Sequence, residues 1–142
     1  MTVKELYTAF TGKIPVSLSE IWDNDGLSVC ADPTREVRRV LIALDLSDAV
    51  ARYATKTHAD VIVTHHPLIF RPLSALTTDD PIARRALHLV RKGISAMSFH
   101  TRFDRFRAAS TIPWRKSSAF PMYACLEKGK PLSDASERFL RK

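Results

Sequence analysis

Glycine is scarce in these 142 residues, with four in all, and no Gly-x-Gly-x-x-Gly or Gly-x-x-x-x-Gly-Lys stretch occurs. The two common backbone cradles for nucleotide phosphates are therefore excluded. There is no Gly-x-Ser-x-Gly elbow either, and no Ser/Cys triad is evident, which leaves covalent nucleophilic catalysis without a candidate residue. Cysteine occurs only at Cys30 and Cys125, far apart and outside any Cys-x-x-Cys spacing. That pattern predicts free thiols in a reducing, cytoplasmic setting. No apolar run approaches the roughly 18 residues of a membrane span. The charged start, Met1-Thr2-Val3-Lys4-Glu5, has no signal-peptide core.

What is present suits one globular domain with an ordinary core: hydrophobic residues make up 45% of the chain. The net charge of +7 invites a nucleic-acid partner, so its location matters. Residues 1–104 hold 13 Lys+Arg against 12 Asp+Glu, whereas residues 105–142 hold 9 against 3. Phosphate binding usually shows as a basic stripe on a folded face. Here the body is near neutral, which disfavours nucleic acid.

The hydrophobic spacing predicts an α/β fold. Thr2 is a candidate N-cap for a helix from Val3 to Phe10, with Leu6, Tyr7 and Phe10 on one face. Asp23-Asn24-Asp25-Gly26 reads as a turn, and Leu27 to Cys30 as a short strand. Val37 to Leu46 reads as a strand whose Val40–Leu44 core is apolar enough for burial on both faces. Ser47-Asp48 caps a helix to about Thr57, and Val61 to Thr64 is a second buried strand. Asp80-Pro81 opens a helix through Ile82, Ala86, Leu89 and Val90 that stops at Gly93. Ile94 to Phe99 is a third strand, leading to His100 and Asp104. The alternation predicts a mainly parallel or mixed sheet with flanking helices, whose ligand site lies beyond the carboxyl ends of the strands. Asp45, His65-His66 and His100/Asp104 all fall at such ends. After Asp104 the pattern lapses, apart from a short amphipathic helix over residues 132–141.

Adjacent histidines at the end of an extended strand point their rings in different directions, so His65 and His66 can serve two ions. Asp104 adds a hard oxygen, and imidazole with carboxylate suits zinc, iron or manganese. Two ions roughly 3.5–4 Å apart would activate water and polarise a substrate oxygen. The plainer alternative is a hydrogen-bonded, inert His-His pair after a buried strand. His100 is a ligand, an orienter of Asp104 in the second shell, or a strand-end residue without duties. Asp45 either flanks the site or caps the following helix. The loop Trp22–Gly26 either walls the pocket or is an ordinary turn. His58 and His88 read as surface residues of helices.

Four strings taken together are distinctive: Trp22-Asp23-Asn24-x-Gly26-Leu27, Ala43-Leu44-Asp45, Thr64-His65-His66-Pro67-Leu68-x-Phe70 and His100-Thr101-x-x-Asp104. In this order they strongly resemble the NIF-three-like family, whose members commonly carry the name GTP cyclohydrolase 1 type 2. The resemblance covers residues 1–104. It implies the N-terminal half of a cytoplasmic, hexameric di-metal α/β protein, in which His65, His66 and Asp104 are metal ligands. It also implies a metal-dependent hydrolase acting on GTP or another nucleotide-like small molecule. The rival expectations are a non-catalytic metal-binding or regulatory module and a non-functional remnant. Asp25 departs from the family's usual apolar residue.

Members of the family complete the site with a His-x-x-x-Glu motif, whereas no histidine follows His100 here. The family also continues from His-Thr-x-x-Asp into Pro-Gly-Gly-Val-Asn-Asp and a helix, where this chain has Arg107-Ala108-Ala109-Ser110-Thr111. Residues 108–120 can be back-translated so that the same bases, read one base upstream, encode Gly-Gly-Val-Asn-Asp-Thr-Leu-Ala-Glu-Lys-Leu-Gly-Leu. The expectation is a truncated member with a frameshift between Asp104 and Arg107 and an out-of-frame basic tail over 105–142. The encoding DNA tests this directly.

Overall fold

The computed structural model describes the backbone of residues 1–109 and 123–127, and side chains through residue 106. In chain order the elements are α1 (Val3–Lys13), a 3-10 turn (Val16–Leu18), β1 (Gly26–Val29), β2 (Arg39–Ala43), α2 (Asp48–Lys56), β3 (Val61–Thr64), α3 (Pro81–Lys92), β4 (Ser95–Ser98), α4 (Thr101–Ala109) and β5 (Tyr123–Glu127). Five strands form one sheet in the order β1-β4-β3-β2-β5. The inner three are parallel, and β1 and β5 run antiparallel at the two edges. The sheet is therefore mixed with a parallel centre, as the alternation predicted.

Local chemistry accounts for the boundaries. Thr2 forms a capping box with Glu5, each side chain taking the other's backbone N–H. Ser47 accepts the Val50 amide at the start of α2. Asp80 accepts the Ile82 and Ala83 amides beside Pro81, and Gly93 closes α3 with a φ of 65°. The β-branched run Val61-Ile62-Val63-Thr64 is buried throughout, as a central parallel strand requires.

Alternation along the strands sends side chains to two cores. Leu41, Ala43, Ile62 and Ala96 meet Val50, Ala51, Ala54, Ala86 and Leu89 on the α2/α3 face. Alanine-rich helix faces let these two helices approach the sheet closely. Val61, Val63, Met97 and Phe99 meet Val3 on the α1 face, with Leu6, Tyr7 and Phe10 packed at its margin. Leu41, Ile62 and Leu89 are fully buried, each contributing about 1.5–3 kcal/mol by leaving water.

Three expectations change. Strand β2 is not buried on both faces: Ile42 is 39% and Leu44 52% exposed, because the α1 core reaches β2 only at its start, through Val40. Asp104 stands not at a strand end but in the first turn of α4, one turn after His100. His58 lies beyond the end of α2 at a φ of 54°, and His88 is half-buried against Thr55, with Nε2 2.9 Å from Oγ1. Strand β5, which pairs with β2 from Arg39↔Glu127 to Ala43↔Tyr123, was not anticipated. The helix expected over 132–141 and most of 108–120 lie outside the described residues.

Register places the site. Ala43 pairs with Thr64, and Thr64 with Ser98, so the three parallel strands end in one row. Gly26 of antiparallel β1 pairs with the same Ser98. Asp45, His65, His66, His100 and the loop before Gly26 consequently leave the sheet side by side.

Candidate metal centre

Short connections beyond that row bring three imidazoles together. The His65 and His66 rings are 4.7 Å apart between centroids, and His100 lies 5.3 Å and 5.6 Å from them. One nitrogen from each of the three falls within 4.8 Å of the other two. The backbone beneath is tied down: His66 N–H donates to Leu44 O, Phe99 N–H to Thr64 O, and the Thr64 hydroxyl to His66 O at 2.7 Å.

Each ring also has an outward partner. His66 Nδ1 is 2.7 Å from Asp45 Oδ1, and His100 Nδ1 is 3.0 Å from Asp23 Oδ1. His65 is hydrogen-bonded to the Phe99 backbone, while its Nε2 lies 3.7 Å from Asp104 Oδ2. Burial pushes the His65 imidazole below its ordinary value. Asp104 pulls the other way, and the neighbouring His66 and His100 add to the depression. His65 is thus neutral at pH 7 and keeps a lone pair for a cation.

Asp23 belongs to a loop fastened on both sides. Its second oxygen accepts the Thr101 N–H at 3.1 Å and the Thr101 hydroxyl, and the same hydroxyl accepts the Glu20 amide. Burial acts to raise the Asp23 pKa, but the donors Thr101 and His100 together hold it below the usual carboxylate value. Asn24 Nδ2 donates to Ile69 O at 2.6 Å, joining the loop to the segment after His66. Asp25 accepts the Ser19 hydroxyl, and its other oxygen lies 2.9 Å from Nε of the fully buried Arg102. That contact is an ion pair without hydrogen-bond alignment, and the guanidinium rests 4.6 Å from the Phe99 ring centre. Gly26 turns the chain at a φ of 113°, where a Cβ would meet the Tyr7 hydroxyl at 2.8 Å.

The predicted residues converge, with one addition. His65, His66 and His100 form the cluster, and Asp104 touches it at His65. Asp45 flanks the site and leaves the helix cap to Ser47. The Trp22–Gly26 loop does wall the cluster, with Trp22 and Phe70 edge-on to each other and both close to His100. Asp23 was missed as a functional residue because Asp-Asn-Asp-Gly is also ordinary turn chemistry; its place in the Trp-Asp-Asn string was the available signal. Cys30 is a free thiol.

Comparison with known proteins bears on the whole site. The sequence profile of the family Duf34/NIF3 (NGG1p interacting factor 3) matches residues 1–112. A Clostridium perfringens protein named GTP cyclohydrolase 1 type 2 homolog is 36% identical over 104 residues, covering 73% of this chain and 39% of the relative. A Schizosaccharomyces pombe protein named Protein NIF3 homolog is 40% identical over 89 residues, covering 61% and 32%. Among solved structures, a Bacillus cereus protein related to NIF3 superposes with a TM-score of 0.68 at 34% identity, covering 73% of this chain and 28% of that one. The chain thus spans about two-fifths, or less, of the length of these relatives.

Proposed function

Because the chain belongs to the Duf34/NIF3 family, we propose that its strand-end histidines bind a divalent metal and serve metal-dependent hydrolysis of a nucleotide-like substrate. The observation carrying this is the cluster itself, three imidazole nitrogens within 4.8 Å of one another at the carboxyl ends of parallel strands. The donor set fits zinc, iron or manganese: imidazoles whose other nitrogens are engaged, with a carboxylate alongside. His65 and His66 would hold the metal, and Asp104 would join them from α4. Such ions supply Lewis acidity, which polarises a substrate oxygen and acidifies water.

The chain's own residues prepare the place. Asp45 fixes the His66 ring, Pro67 follows it without an amide donor, and desolvation keeps His65 unprotonated. Trp22 and Phe70 stand edge-on to the His100 ring on one side of the cluster. The nucleotide-like substrate is inferred from relatives named GTP cyclohydrolase 1 type 2. A hexameric assembly and a cytoplasmic setting belong to the same proposal. Among the described residues no helix is long and apolar enough to cross a membrane.

A second proposal, a metal-binding module without turnover, is favoured by the donor count. Three imidazoles and one carboxylate would fill the four-coordinate shell of a single ion and leave no open position for water. The two separate in one experiment: GTP turnover is measured with and without added Zn2+, Mn2+ or Fe2+, alongside His65→Ala. Metal-dependent turnover lost in the variant supports the hydrolase. Metal uptake lost in the variant, with no turnover in either, supports the module. Absence of metal uptake by the wild-type chain would sink both.

A further inference from the structure

We propose that the cleft between α2 and α3 is an anion site, in which Arg52, Arg84 and Arg85 take the phosphate groups of an oligophosphate chain. It shares no residue with the histidine cluster and depends on neither the metal nor the hydrolysis proposed above.

Charge on residues 1–104 is segregated. Helices α2 and α3 together carry six Lys and Arg against Asp48 as their one acid. The rest of residues 1–104 holds seven Lys and Arg against eleven Asp and Glu. The near-neutral total therefore hides a positive layer on one side of the sheet. Ala51, Ala54, Ala86 and Leu89 face the sheet, which leaves the cations on the outer side of both helices. Such a one-sided field concentrates anions at the surface that carries it.

A cleft of about 180 Å³ opens within that layer, lined by Asp48, Ala51 and Arg52 from α2 and by Arg84, Arg85 and His88 from α3. Ala51, short and buried, leaves the space between the longer side chains. The His88 ring is anchored beside it, with Nε2 2.9 Å from Thr55 Oγ1.

Asp48 shows what the cleft attracts. It accepts Nε of Arg85 at 2.6 Å and lies 3.8 Å from Nη2 of Arg84. The Arg85 hydrogen bond, above all, holds its carboxyl below the usual carboxylate value. Desolvation opposes this, and the charges of Arg85, Arg84 and Arg52 reinforce it. Three guanidiniums thus converge on one carboxylate, and two positive charges stay unbalanced. A plain clamp between the helices needs only Asp48 and Arg85. Arg52 sits on the same helix as Asp48, bridges nothing, and forms no ion pair among the described residues. Because Arg85 meets Asp48 through Nε, its Nη edge is left for a second oxyanion, and guanidinium forks match phosphate oxygens in pairs. Exposed ion pairs are individually weak, so the ligand must engage several guanidiniums at once. An oligophosphate does so with several charges on one chain of oxygens.

The metal-free full chain is titrated by calorimetry with inorganic triphosphate, GTP and guanosine at low and raised salt. Triphosphate should bind, more weakly as salt rises, and guanosine should not. Equal binding of GTP would show that the site accepts the chain within a nucleotide, and triphosphate without GTP would identify the free polyanion as the occupant. Arg52→Gln and Arg85→Gln should each weaken triphosphate about three- to tenfold. Lys92→Gln removes the same charge two turns beyond Arg85, about 10 Å or one Debye length away, and should change affinity less than about twofold. Asp48→Asn removes the competing carboxylate and should tighten binding about threefold, the opposite of what loss of a clamp would do.

GTP binding without triphosphate binding overturns the proposal, as does a wild-type chain that binds neither. Affinity unchanged in both arginine variants places the anion elsewhere and overturns it too, and so does Asp48→Asn binding no more tightly than wild type. Should Arg85→Gln fail to fold, Arg52→Gln on the exposed side of α2 decides. None of these results touches the metal-binding proposal, which His65→Ala tests separately.

Discussion

Two carboxylates stand on opposite flanks of the imidazole cluster under opposite conditions. Asp23 has no exposed side-chain surface and meets His100 and Thr101, while Asp104 is 57% exposed and faces His65 across 3.7 Å. The sealed flank is built from a loop stitched to α4 at Glu20, Asp23 and Asp25. The open flank is one side chain on a helix surface. Preorganisation and access are thus divided between them: Asp23 fixes a ring by hydrogen bonding, and Asp104 leaves its carboxylate open to solvent.

The hardest test of the sealed flank is Arg102. Removing its guanidinium as Arg102→Met strands the Asp25 carboxylate in a buried place, a change that costs about 3–5 kcal/mol. Chemical denaturation should show that loss. The double variant Asp25→Val/Arg102→Met should recover most of it, since a buried ion pair is often replaceable by apolar groups. A double variant no more stable than Arg102→Met would show that the pair does not act as a unit.

A smaller effect is expected at a further exposed carboxylate, Asp45 beside His66. Asp45 is 61% exposed, so Asp45→Asn should weaken metal affinity less than Asp23→Asn, near the lower end of the 10–100-fold range for such partners. Competition titration of the two variants side by side would reverse the comparison if Asp45→Asn proved the more damaging.

The smallest effect is a pH dependence of the metal-free chain. His65 has a folded pKa below its ordinary 6.5, so the unfolded chain binds the proton more readily. Its contribution makes stability fall as pH drops below 6.5, levelling once the folded pKa is passed. His65→Gln should flatten that limb of a stability-against-pH curve, measured by urea midpoints. The Asp23 contribution has the same sign in a more acid window: its folded pKa is also lowered, so it is complete above 3.8 and lost as pH falls below that value.

Much of the fold was legible because local and global signals agreed. Val61–Thr64 could only be a buried strand, and Ser47, Asp80-Pro81 and Gly93 marked helix ends by capping chemistry. The His65-His66 pair announced the site by its position after such a strand. What escaped depended on distant segments meeting. The Asp23–His100 bond spans 77 residues, and nothing in Asp-Asn-Asp-Gly distinguishes a turn from a turn that grips a histidine. Nothing local marks Arg102 for burial, which depends on Asp25 from the loop before β1 and on the Phe99 ring. Strand β5 depends on its pairing with β2, which no local pattern in Tyr123–Glu127 revealed.

The shared row of strand ends, Ala43, Thr64 and Ser98, also has a kinetic consequence. Parallel neighbours are joined only through crossovers, so these contacts form late and at a high loop-closure cost. A one-residue slip of β3 would exchange the faces reached by His65 and His66. Under the metal-binding proposal, the nascent chain would offer a passing ion only an isolated His-His dipeptide, and capture would wait until three strands have aligned. Stoichiometric metal uptake would then report correct register, and its rate during refolding would follow sheet assembly rather than ion diffusion.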